Sequence, residues 1–300
     1  TNAVCTGTNT PASITPNAGE EITCTFTNNK PVAQIDVTPL TATNKVGDNH
    51  VITANVQVHN GDGVWGPTTD GTVVTFSIIN SLGATAIFVP ALGNTCPTVA
   101  GSCSITINSP TAGHVVVNAS ATPVVLGVNL PVSTGTGGDN IVDAQKDYVS
   151  ARISIMQSAT NEVDDSHSFT VTVEQSIAAG VWTPMENVIV DVSVAPAPDS
   201  LDETDCANGT NASGQCTATI NSASAGIFTA SASTNVTVNT IPFSLVTNGL
   251  NGNSQPAVKT YVDAKIVLSP LTATNNISDP HTITATVWQN NGSGWSAAPD

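Results

Sequence analysis

Between residues 50 and 58 the chain alternates. His50, Ile52, Ala54, Val56 and Val58 fall on one side of an extended segment, with Asn55 and Gln57 on the other. A period of two with one apolar side is the pattern of a strand packed on one face. The same alternation returns as His167, Phe169, Val171 and Val173, and again as His281, Ile283, Ala285 and Val287. Val74, Phe76 and Ile78 answer to Val190, Val192 and Val194, and Val115, Val117 and Ala119 answer to Phe228, Ala230 and Ala232. Turns rich in Gly, Pro and Asn separate these runs, and no stretch shows sustained helical periodicity. The pattern predicts an all-β chain of short strands stacked into sandwiches.

The alternation belongs to a longer repeat. "ATNKVGDNHVIT" at 42–53 recurs as "ATNEVDDSHSFT" at 159–170 and as "ATNNISDPHTIT" at 273–284. Trp65, Trp182 and Trp295 each follow the corresponding His, and their constant position predicts packing at a strand start. "CSITINSPTAGHVVVNASA" from Cys103 matches "CTATINSASAGIFTASAS" from Cys216, and "KDYVSARISI" from Lys146 matches "KTYVDAKIVL" from Lys259. A unit of about 115 residues, made of short alternating strands and turns, fits an immunoglobulin-like sandwich. The expected domains are 32–149, 150–262 and the opening strands of a third copy at 263–300. Residues 1–31 do not match the repeat and read as the last hairpin of a preceding β domain. Both ends are thus expected to cut through domains, with Ile266, Leu268, Ile283, Ala285 and Val287 facing a core completed by further chain or by a neighbouring subunit.

Charge narrows the partners. The 300 residues carry 6 Lys+Arg against 22 Asp+Glu, a formal net charge of -16, while only 9% are charged. Neither a phosphate lattice nor an anionic membrane attracts such a surface, so nucleic acid and membrane binding are not expected. No apolar run approaches membrane-spanning length. Six cysteines fall into close couples, Cys5 with Cys24, Cys96 with Cys103 and Cys206 with Cys216. The second and third couples sit at the same place in two copies, so local pairing is the economical choice among the fifteen possible. Without a C-x-x-C, zinc and thiol redox chemistry are disfavoured, and paired cysteines point to an oxidising, extracellular compartment. Sequons at Asn118, Asn208, Asn211, Asn235, Asn276 and Asn291 agree with that location. The register places Asn118 and Asn235 outward, where a glycan could sit.

The unit resembles bacterial Ig-like repeats of large surface proteins, the invasin and intimin type among them. The features that carry the resemblance are the "ATN-x-V/I-x-D-x-H-x-I/F-T" stretch, the Trp before a Val-rich strand and "SPTAGHVVV" at 109–117. "GEEITCTFTNN" at 19–29 is similar to the closing strand of prealbumin-like or Cna-B-like domains. The resemblance implies a tandem array arranged as a rod, a stalk or fibre that holds a tip domain away from the cell.

Asp48-Asn49-His50, Asp165-Ser166-His167 and Asp279-Pro280-His281 could hold a metal. A pair repeated once per domain, however, is what a structural constraint predicts, with the Asp bonding turn amides and the His at the rim of the core. Asp143, Asp147 and Asp263 lie near domain junctions but form no dense calcium loop. "STGTGGDN" at 133–140 is glycine-rich without a following helix, so it is no phosphate loop. Lys146 and Lys259 occupy matching positions, but the sequence shows no clear acid partner for a Lys–Asn cross-link. No G-x-S-x-G or H-E-x-x-H context supports catalysis. The expectation is a non-enzymatic, extracellular stalk or filament segment without cofactor or metal. Its expected partners are further copies or neighbouring surface-protein domains, or host and cell-surface glycans. The rival readings are a carbohydrate- or receptor-binding module and the spacer domains of a secreted hydrolase.

Overall fold

The computed structural model describes residues 2–299 apart from 8, 28, 29, 139, 141, 157 and 158. Asp139 of the glycine-rich stretch therefore lies outside the described residues. Strands account for nearly all the regular structure, and the chain forms two compact units, 1–148 and 149–300.

In the first unit, strands Asn2–Cys5 and Cys24–Thr27 pair with Cys5 opposite Cys24. The sandwich that follows uses β1 (Val32–Thr38), β2 (Thr41–Lys45), β3 (His50–His59), β4 (Val73–Ser81), β5 (Ser102–Asn108), β6 (Gly113–Ala121) and β7 (Ala144–Ile155). One sheet runs β1-β3-β5 and ends on the short strand Ile87–Phe88. The other carries β4-β6-β7, with β2 beside β7. Ile35, Ile52, Val56 and Ile107 of the first sheet bury against Val74, Phe76, Val115 and Val117 of the second. These are the inward positions of the alternation, and β-branched side chains fit such a pleated, half-buried surface. Residues 144–148 of β7 pair with β6, and residues 150–155 open the second unit by pairing with β9 (His167–Ala178).

That unit repeats the arrangement with β8 (Ala159–Glu162), β9, β10 (Asp191–Ala195), β11 (Gln215–Asn221), β12 (Gly226–Val238) and β13 (Ala257–Ser269). β9 and β11 share one sheet, while β10, β12 and β13 share the other, with β8 parallel to β13. Phe169, Val171 and Val173 meet Val190, Val192, Phe228 and Ala230 in a single core. This two-sheet architecture is immunoglobulin-like. Two glycines allow the copies to close in the same way. Gly101 and Gly214 both take positive φ, and each carbonyl accepts a hydrogen bond from β3 or β9, at Val56 and Val173. A Cβ on Gly214 would stand 2.6 Å from the Val173 carbonyl oxygen, so only glycine fits there.

Three details refine the expected pattern. A helical turn, α1 (Thr204–Asn208), interrupts the second unit and carries Cys206, which is buried and bonded to Cys216. The tryptophans do not join the cores. Trp65 packs edge-on against His59 with ring centroids 4.5 Å apart, Trp182 lies under Arg152, and Trp295 lies under Lys265. An indole at a strand start keeps its N–H near water while its face takes a neighbouring side chain. Finally, the second half of β13 pairs with β14 (Thr284–Asn290), yet Ile266, Leu268, Ile283 and Val287 all stay exposed. No second sheet covers their face among the described residues.

Candidate functional site

The Asp-x-His stretch is one wall of a buried cluster that occurs twice. In the first unit Ala144, Lys146 and Tyr148 all face inward from β7, so the strand places a lysine amine on its core side. Lys146 is 1% exposed, and its Nζ contacts Asn44 Oδ1 from the neighbouring β2. The Asn44 amide is held in place, since its Nδ2 donates to the Asn49 carbonyl at 3.2 Å. The turn between β2 and β3 is closed by Asp48 N–H donating to the Lys45 carbonyl, with Gly47 at φ +87°. It delivers Asp48 and His50 to the same place. Tyr148 is fully buried, donates its hydroxyl to the Ile107 carbonyl at 3.3 Å and sets its ring 5.5 Å from the lysine amine.

The second unit repeats each part. Lys259 is 0% exposed and its Nζ contacts Asn161 Oδ1 on β8, the strand paired in parallel with β13. Tyr261 donates to the Ile220 carbonyl at 3.1 Å, with its ring centroid 4.8 Å from the amine. Asp164, at φ +67°, takes the position of Gly47 and brings Asp165 and His167 into line. In the third copy Asn275 Nδ2 donates to the Pro280 carbonyl at 3.4 Å, the same turn contact that Asn44 makes.

The electrostatics of the two clusters agree. Burial pulls the Lys146 ammonium down to about 8, against the attraction of Asp147 and Asp48. Burial lowers Lys259 too, against Asp165. His50 is pushed down to about 4, first by burial and then by the Lys146 charge, and His167 shifts the same way for the same reasons. Burial raises both tyrosine hydroxyls, with Asp48 and Asp165 adding to the effect. The imidazoles are thus neutral near pH 7. His114 pairs with Asp147 at 2.7 Å and Arg152 with Glu174 at 2.7 Å, and among the described residues no carboxylate contacts either buried lysine.

The sequence named Asp48, His50, Asp165, His167, Lys146 and Lys259, but as separate features, and saw no acid near either lysine. The structure brings them together and adds Asn44, Asn161, Tyr148 and Tyr261. The signal was present in the thrice-repeated "ATN" and in Lys-x-Tyr, whose spacing places both side chains on one strand face.

The other candidates lie apart. The sulfurs of Cys5 and Cys24, Cys96 and Cys103, and Cys206 and Cys216 are bonded. Asn118 is half-buried, and its Nδ2 donates to Ser133, Thr134 and Asp143 beside the strand Val132–Ser133. Asn208, Asn211, Asn235, Asn276 and Asn291 are exposed. Asp143 accepts from Asn118 and Thr134, Asp147 pairs with His114, and Asp263 accepts from the Ala264 amide. Among the described residues, no group of three or more His, Cys, Asp or Glu side chains could hold a metal ion, and no helix is long and apolar enough to cross a membrane.

No family model and no curated protein matches the chain. Solved structures do. The D00-D0 domain of intimin is similar over 76% of this chain and all of its own, at 13% identity and a TM-score of 0.38. The D0-D1 domain of intimin is similar over 77% of this chain and 99% of its own, at 17% identity and a TM-score of 0.25. The ICAM-5 D1-D4 ectodomain fragment is similar over 89% and 75%, at 7% identity and a TM-score of 0.38. With overlaps this shallow, the fold rests on the strand pairing and the buried faces of the chain itself.

Proposed function

We infer that this chain is a segment of an extracellular stalk or filament, built of repeated Ig-like domains that space or adhere and do not catalyse. On this reading residues 1–31 end a preceding β domain, 32–149 and 150–262 are complete repeats, and 263–300 begin a third. One observation carries it: both units keep the same buried constellation at matching positions. A binding or catalytic module diverges at its site, whereas a spacer conserves what holds each copy together. The low charge, the acidic balance and three disulfides suit an oxidising exterior where nucleic acid is no partner. Small-angle X-ray scattering of the chain tests the reading. An elongated profile is expected, with a maximum dimension that grows by a constant step as repeats are added. A compact particle, its two sandwiches folded onto each other, would sink it.

A further inference from the structure

Two lysines buried as deeply as the core leucines of other proteins need an explanation. An ammonium removed from water is costly unless a carboxylate or several acceptors compensate it. Each of these lysines instead touches one neutral carboxamide, beside an aromatic ring, and the arrangement occurs in both units. Hydrogen bonding to one amide oxygen does not offset the loss of hydration. An amine depressed by burial, held against an amide carbonyl in a site closed to water, is a nucleophile facing an electrophile.

We propose that Lys146 and Asn44, and likewise Lys259 and Asn161, are joined by intramolecular isopeptide bonds that form once each sandwich has folded. The uncharged Nζ attacks the asparagine Cγ. The Nζ–Cγ bond forms, the Cγ–Nδ2 bond breaks, one proton passes from Nζ to Nδ2, and ammonia leaves. The balance needs no oxidant, cofactor or metal. The product is a neutral secondary amide, which removes the buried charge that the unmodified fold would have to carry.

The proton needs a carrier, and the two copies select it by comparison. Asp147 acts on Lys146, but Thr260 takes its place beside Lys259, so it cannot be the shared group. Asp48 and Asp165 stand at the same repeat position, and each acts on its own lysine and tyrosine. They are assigned the proton transfer, while the neighbouring imidazoles, kept neutral, fill the site and exclude water. The Asn44 amide, fixed by its bond to the Asn49 carbonyl, is oriented with its oxygen toward the amine before any bond forms.

The inference is independent of what the stalk touches, and intact-mass spectrometry of the full chain after disulfide reduction tests it. The expected mass falls short of the sequence mass by two ammonia molecules. Lys146→Ala and Lys259→Ala should each restore one. A protease digest of the natural chain should contain branched peptides joining Lys146 to Asn44 and Lys259 to Asn161, a readout that needs no variant to fold. Asp165→Asn, with its circular dichroism unchanged, should restore one ammonia by blocking the second link alone. A natural chain at full sequence mass overturns the proposal. So does a deficit that survives in the Lys146→Ala/Lys259→Ala double variant, which would place the lost ammonia at Asn-Gly succinimides instead.

Discussion

The second and third copies of the repeat carry the same text and meet opposite fates. Phe169, Val171 and Val173 vanish into a core, while Ile283 and Val287, at the corresponding places, remain in contact with water. Both segments alternate with the same period, and both pair with the neighbouring strand. What differs is the opposing sheet. β10 and β12 face the second copy, and nothing equivalent faces the third among the described residues. Alternation therefore specifies which side of a strand is apolar, and only a second sheet turns that side into a core.

The largest expected effect comes from testing that difference directly. Phe169→Ala should destabilise the second unit by about 3–5 kcal/mol, the usual cost of emptying an aromatic site in a core. Ile283→Ala, at 60% exposure, should stay within about 0.5 kcal/mol. Urea denaturation followed by circular dichroism reads both. Equal effects would mean that a hidden partner covers the third copy.

The disulfides extend the comparison to the first two copies. Cys206 and Cys216 are 10 residues apart and fully buried, whereas Cys96 and Cys103 are 7 apart and half-buried. Replacing Cys206 and Cys216 together by Ala should cost about 2–3 kcal/mol by the loop-entropy account, and should also free α1. The equivalent change at Cys96 and Cys103 should cost less, because it empties less core. Thermal unfolding of the two variants ranks them.

Acid should act on the clusters through their histidines. His50 keeps a folded value near 4 against an ordinary value near 6.5, so the unfolded chain binds the extra proton between those limits. Stability is then fully present above about pH 6.5 and falls as pH drops toward 4, by roughly 1–2 kcal/mol once partial solvation is allowed for. A His50→Gln variant should lose that part of the pH dependence. Retention of the full slope would assign it elsewhere.

The smallest effect separates the indole contacts. Arg152 stands 4.1 Å from the Trp182 ring and is also held by Glu174, while Lys265 stands 4.0 Å from the Trp295 ring. Trp182→Leu and Trp295→Leu should each cost about 0.5–1 kcal/mol, near the ordinary worth of an exposed cation–π contact. Double-mutant cycles with Arg152→Met and Lys265→Met would show coupling at both sites.

How much of this was legible beforehand depended on whether the signal was local. Strand faces were readable because Ile52, Ala54 and Val56 announce their side within five residues. The helical turn at Thr204–Asn208 was not, since five residues are too short to show a helical period. The surroundings of Asn118 were not legible for a related reason. Its strand position does point away from the core, but the chain from 132 to 143 returns across it. The Lys–Asn clusters join residues 102 and 98 positions apart. Their parts were each visible as repeated letters, but the contact depended on strands from opposite ends of a repeat meeting edge to edge.

That meeting has a consequence for a chain under tension. In the second unit β8 lies parallel to β13, with Ala159 through Glu162 in register with Lys259 through Val262. A pull on the two ends of the domain slides these strands along each other, so their hydrogen bonds are loaded together in shear and not peeled one by one. The Lys259–Asn161 contact sits on that same line. Joined there, the force would pass from strand to strand through one amide and bypass the sandwich. The 98-residue span from Asn161 to Lys259 would then never extend, which withholds roughly 330 Å of extended chain from each pull. A domain made this way would break before it lengthened.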